Sequence, residues 1–161
     1  MPDCLAAQLL DGIGAVMDTI STTNGYSQTI NTVEYDYFLP DRETTDYAIA
    51  IVMLTGIQTV EVDNESQQIA ASFRIEGYMK QSTADHAVTV AARKEILEFA
   101  ADFKTAILSI YDRQQAGTFG MEGFEIVGEI RQAWETPENE SQVAAVMTEF
   151  DCKFLADRGD R

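Results

Sequence analysis

The chain has one histidine, two cysteines, no long apolar run and less than half as many basic as acidic side chains. Each shortage excludes something. Eleven Lys and Arg stand against 27 Asp and Glu, giving a net charge of −16 and an isoelectric point near 4.2, the wrong sign for gripping a phosphate backbone. Direct nucleic-acid binding is therefore not expected. Cys4 and Cys152 lie far apart, form no C-x-x-C pair and have no histidine nearby to complete a metal set, so they read as reduced, partly buried thiols. The sole histidine, His86, falls in the first turn of a helical pattern, where the dipole disfavours its protonation, and no Ser or Cys nucleophile accompanies it. It reads as an ordinary exposed side chain. No stretch approaches 18 uninterrupted apolar residues, and the start Met-Pro-Asp-Cys-Leu lacks a basic leader region. Neither export nor membrane insertion is expected, so the glycosylation triplets at Asn64 and Asn139 carry no weight.

What is present is enough apolar material for one core: 45% of 161 residues, in a single domain without internal repeats or linkers, ending in a frayed tail over 156–161. The organising stretch is 85–111, read as a long helix capped by Ser82, Thr83 or Asp85. Val88, Ala92, Ile96, Phe99, Phe103, Ala106, Ile107 and Ile110 form its core-facing stripe, while Lys94, Glu95, Glu98, Asp102 and Asp112 gather on a flank in water. A third set, Val90, Leu97, Ala101 and Leu108, is also apolar and lies nearly opposite the stripe. Either a neighbouring helix or another subunit must cover it, and it is the candidate subunit interface.

A first amphipathic helix spans 3–22, with Leu5, Leu9, Ile13, Val16 and Ile20 in its stripe, Asp3 as cap and Asn24-Gly25 as stop. Gly12 and Gly14 within it mark a close approach to another backbone. Alternation predicts strands at 28–39, 69–80, 124–131 and 143–155. The apolar run 47–55 reads as a central strand buried on both faces, extended over 57–62 past a bulge. The connections are a polar loop after Pro40, a turn at 63–67, a flexible glycine loop at 114–123 and a polar stretch at 134–142. Five strands and two helices make an α+β domain.

Several suggestive groupings fail on mechanism. The loop from Gly117 to Gly123 follows a helix and precedes a strand, the reverse of a phosphate-binding loop, and lacks its lysine. Asp36, Asp41, Glu43 and Asp46, or Asp63 and Glu65, lack calcium-loop spacing and read as solvated acidic loops. Arg158-Gly159-Asp160 is a chance match to an adhesion tripeptide. No pair of carboxylates is placed in a pocket, and the chain is not expected to be an enzyme.

Taken in order, the leading helix, Asn24-Gly25-Tyr26, the strand with Val33 ending near Pro40, the apolar second strand, the strand closing in Ile75-Glu76-Gly77-Tyr78-Met79, the Ala-rich long helix and two last strands with an aromatic pattern at Phe150 and Phe154 resemble the tail terminator family of long-tailed bacteriophages. The resemblance covers roughly residues 5–155, and it lies in order and spacing. It implies a mixed, mainly antiparallel sheet with helices packed on one face. It also implies a virion protein, assembled in the host cytoplasm, that forms a homohexameric ring on the head-proximal end of the tail tube. Such a ring stops tube polymerisation, joins the tail to a head-tail connector or head-completion protein, and lets DNA pass without specific binding. No cofactor is implied, although divalent cations are expected to promote assembly of so acidic a chain. The alternatives are another phage neck or tail-completion protein and, from a different class, a small acidic ligand-binding α+β domain. The chain is longer than compact members of that family, with extra length in the loops 40–46, 114–123 and 134–142.

Overall fold

The computed structural model describes residues 4–35, 48–62, 66–80, 90–135 and 143–157. Its five-stranded sheet follows from the alternation: β1 (Ile30–Tyr35), β2 (Ala48–Val62), β3 (Ser66–Lys80), β4 (Glu122–Glu135) and β5 (Val143–Asp157). They lie in the order β1-β2-β3-β5-β4, with β1 and β2 parallel and every other pair antiparallel. Two helices, α1 (Leu5–Met17) and α2 (Val90–Leu108), pack on the sheet, α1 over β1 and β2 and α2 over β5 and β4. A short α3 (Ile110–Gln115) continues α2.

One face of each strand meets the helices. Val52, Ile75, Phe73, Phe150, Cys152 and Phe154 are buried there, and Phe73 and Phe150, direct cross-strand partners, stack with ring centroids 5.4 Å apart. From α2 the expected stripe answers with Ile96, Phe99, Phe103, Ala106 and Ile107, and Ile110 adds to it from α3. Val88 and Ala92 have no described side chains. The helix can lie this close because the sheet is thin beneath it. A Cβ on Gly77 would collide with the Phe103 ring, so only a missing side chain leaves room for Phe99 and Phe103. On the opposite face Ile49, Ile51, Tyr78 and Val143 form a second, smaller buried cluster, so the apolar run of β2 is covered on both sides as its composition suggests.

Several boundaries move. The first helix stops at Met17, and a separate 3₁₀ turn, Thr22–Asn24, capped by Ser21 and closed by Gly25 at φ 88°, replaces its last turn. Gly12 and Gly14 mark close approach to side chains, Phe119 and Tyr35, where backbone contact was expected. The long helix is interrupted at Ser109, whose hydroxyl donates back to the Ala106 carbonyl at 2.6 Å, and it resumes as α3. Gln114 and Gln115 are therefore helical, while Glu122 and Gly123 already belong to β4. The glycine loop is pinned by Phe119, which is buried with its ring edge-on to Phe124 at 5.1 Å. Ser66 and Gln67, expected in a turn, open β3; Trp134 and Glu135, expected in a connection, close β4; and Ala156, expected to fray, is buried in β5. The bulge expected in β2 is present between Leu54 and Gly56, with a second between Thr59 and Glu61.

Candidate interaction surface

Cys152 lies on the core face of β5, and burial, followed by the neighbouring Asp151 charge, pushes its thiol up to about 12, so it is a poor nucleophile at neutral pH. Cys4 is exposed at the start of α1. Among the described residues no group of three or more His, Cys, Asp or Glu is placed to hold a metal ion. His86, Asp36, Asp41, Glu43, Asp46, Asp63 and Glu65 lie outside the described residues, as do 158–161.

The surface with the strongest physical signature lies where α2 and α3 run beside β4, the outermost strand. Leu97 and Leu108 are 48% and 53% exposed, and Ala101 is exposed between them. Val90 opens α2, where side chains lie outside the described residues. No described helix covers this set: Leu97, Ala101 and Leu108 stay exposed, and α1 packs over β1 and β2 and touches α2. Two residues join the strip that the sequence pattern did not place there. Tyr111 is 61% exposed one turn beyond Leu108, and Trp134, 49% exposed, reaches toward Leu97 from the end of β4. One groove of about 340 Å³ is lined by Arg93, Ile96, Leu97 and Trp134. A second, of about 400 Å³, lies between Leu108, Tyr111 and Gln114 on the helices and Phe124 and Ile126 on β4. The signal for Trp134 was available. Ile130, Gln132 and Trp134 continue the alternation of β4, but the tryptophan's polar followers and Pro137 suggested a loop.

Polar contacts tie α2 to its neighbours on two flanks. Gln132 on β4 donates to the Ala100 carbonyl of α2 at 2.6 Å and to the fully buried Thr148 hydroxyl of β5 at 3.0 Å, tying both elements to the strand. Asp102, expected on the wet flank, is buried instead. Its carboxylate accepts from the Ser27 hydroxyl at 2.6 Å and from the Ser27 and Gln28 amides at 3.1 Å, clamping the segment before β1 onto α2. Two glycines shape β4. Gly123 (φ 62°) and Gly128 (φ 75°) sit where its register against β5 shifts, between Glu122 and Glu125 and between Val127 and Arg131.

The opposite face of the sheet carries ion pairs beside its small buried cluster. Arg131 lies 3.7 Å from Glu149 and 3.6 Å from Asp151, Lys153 meets Glu125 at 3.1 Å, and Arg74 meets Glu76 at 3.0 Å. These solvent-reached pairs give little stability. No protein-family model matches the chain, and no curated protein matches it.

Proposed function

We propose that the chain is the subunit of a homohexameric ring that closes the head-proximal end of a phage tail tube, ends tube growth and presents the surface for head attachment. The phage context comes from the order and spacing of elements. The observation that carries the subunit reading is the half-exposed apolar strip of Leu97, Leu108, Tyr111 and Trp134 along one side of the α+β body. Monomers seldom leave such a row bare, and Trp and Tyr are the residues that most often anchor interfaces.

Magnitudes bound the strength of such a contact. Removing the exposed half of four large side chains from water gives roughly 1 kcal/mol each, against an association cost of at least about 4 kcal/mol. The strip alone yields weak pairing, and closure into a ring, where each copy makes two contacts, is what makes it durable. An acidic chain suits an annulus through which DNA slides unheld, and its self-repulsion keeps free copies apart until counterions or the tail tube gather them.

The test has two arms. Sizing with and without magnesium, followed by imaging, is expected to show rings; a monomer with a ligand in a closed pocket contradicts the proposal. Particles assembled without the chain are expected to carry overlong tails, whereas unattached tails of normal length favour another neck protein.

A further inference from the structure

We propose that neighbouring copies meet strand to strand, the outer edge of β4 in one copy, with the α2 strip above it, receiving the distal half of β2, residues 56–62, from the next. This rests on the ring reading and names its two surfaces. β4 is outermost, and no described strand lies beyond it. At the other side of the sheet the described residues of β1 pair with β2 from Ala48 to Val52, and β2 runs on to Val62 with residues 57–60 exposed, Ile57 at 45% and Val60 at 57%. These two edges face away from each other across the same sheet, as a contact that propagates head to tail demands.

Direction, face and charge agree. Three antiparallel steps separate β2 from β4, so the two run in opposite directions, and copies turned about an axis along the strands pair them antiparallel, the stronger arrangement. Ile57 lies opposite Ala71, and across Cys152 of β5 the same level of the sheet is held by Ile126 of β4, all on the helix-bearing face, so a sheet continued across the boundary sets Ile57 beside the groove of Leu108, Tyr111, Phe124 and Ile126. A like pairing of two β4 edges is disfavoured because β4 carries exposed Glu122, Glu125, Glu129 and Glu135 against a single Arg131. Residues 56–62 (Gly-Ile-Gln-Thr-Val-Glu-Val) carry one charge, on Glu61, and so lightly charged an edge is rarely left bare unless a strand is meant to join it.

Thiol cross-linking decides it. In a Cys4→Ser background, with Cys152 buried and silent, Gln58→Cys is mixed with Val127→Cys, Arg131→Cys or Ala133→Cys, all exposed on the face opposite the helices, and treated with a short bismaleimide under conditions where the parent protein is oligomeric. The expected result is a linked dimer in at least one mixture, none with Gln58→Cys alone, and a ladder from the variant carrying both cysteines. Self-linking of the β4 variants overturns the proposal in favour of a two-fold contact. An oligomer with no link in any mixture overturns the strand pairing while the ring stands, and a monomer at every salt and magnesium concentration overturns both.

Discussion

At the residue scale the clearest lesson is Asp102. Helical geometry assigned it to water because it shares a flank with Lys94 and Glu98, which do form an exposed pair at 3.5 Å. The segment that buries it, Ser27 and Gln28, is 74 or more residues distant, a contact no local pattern contains. Replacing a buried carboxylate that accepts from three donors is costly: Asp102→Ala is expected to lose about 2–4 kcal/mol, lowering Tm by roughly 5–15 °C in a scan. The glycines separate two opposed effects. At Gly14 alanine gains about 1 kcal/mol of helix propensity and meets only Tyr35, 40% exposed and able to swing outward, so a change below about 1 kcal/mol is expected in denaturant titration. At Gly77 the obstruction is the Phe103 ring, fully packed, and Gly77→Ala is expected to lose roughly 1–3 kcal/mol. Cys152 sets an alkaline limit. Its folded-state pKa lies above the ordinary 9.0, so the folded chain holds a proton the unfolded chain releases; this contribution is complete below pH 9 and is lost as pH rises toward 12, at up to about 1.4 kcal/mol per unit. Tyr35, raised by burial and then by Asp11 and Asp18, acts in the same direction. Cys152→Ala is expected to flatten the fall of stability between pH 9 and 11.

At the scale of elements, the periodic signals were sufficient where burial is one-sided. All five strands and both long helices were legible, and the stripe from Ile96 to Ile110 is buried where its spacing put it. What failed was the ends, and the reasons are tertiary. Trp134 and Glu135 remain in β4 because Val146 and Ala145 of β5 pair with them, Ala156 stays ordered because Gln67 of β3 does, and no local propensity announces either partner. The strip on α2 was half legible: Leu97, Ala101 and Leu108 could be read from spacing, whereas Trp134 and the groove at Phe124 and Ile126 exist only because β5 places β4 beneath the helix. Its role is open to a direct comparison. Leu97→Asp and Leu108→Asp replace half-exposed side chains, so monomer stability is expected to change by less than about 1 kcal/mol while association, read by sizing at matched concentration, is lost. Ala15→Asp, on the exposed side of α1, adds the same charge and is expected to leave association intact, which separates loss of apolar contact from added repulsion.

At the scale of the whole molecule two forces oppose each other, and salt tells them apart. Every copy carries −16, so bringing copies side by side accumulates like charge over a range set by ionic strength, about 30 Å at 0.01 M and about 3 Å at 1 M. The proposed contact is apolar side chain and backbone edge, which added salt weakens little, while repulsion is screened almost entirely across the same interval. Association is therefore expected to tighten monotonically as salt rises from about 0.01 M to about 1 M, and magnesium is expected to act beyond its contribution to ionic strength, because a divalent ion concentrates between facing carboxylates. A contact built from ion pairs predicts the reverse, dissociation with rising salt. Sedimentation at fixed protein concentration across that range reads the sign directly. Dissociation with salt would remove the apolar strip and the β2 edge from the interface together, leaving the ion-paired face of Arg131, Glu149 and Lys153 as the one that copies share.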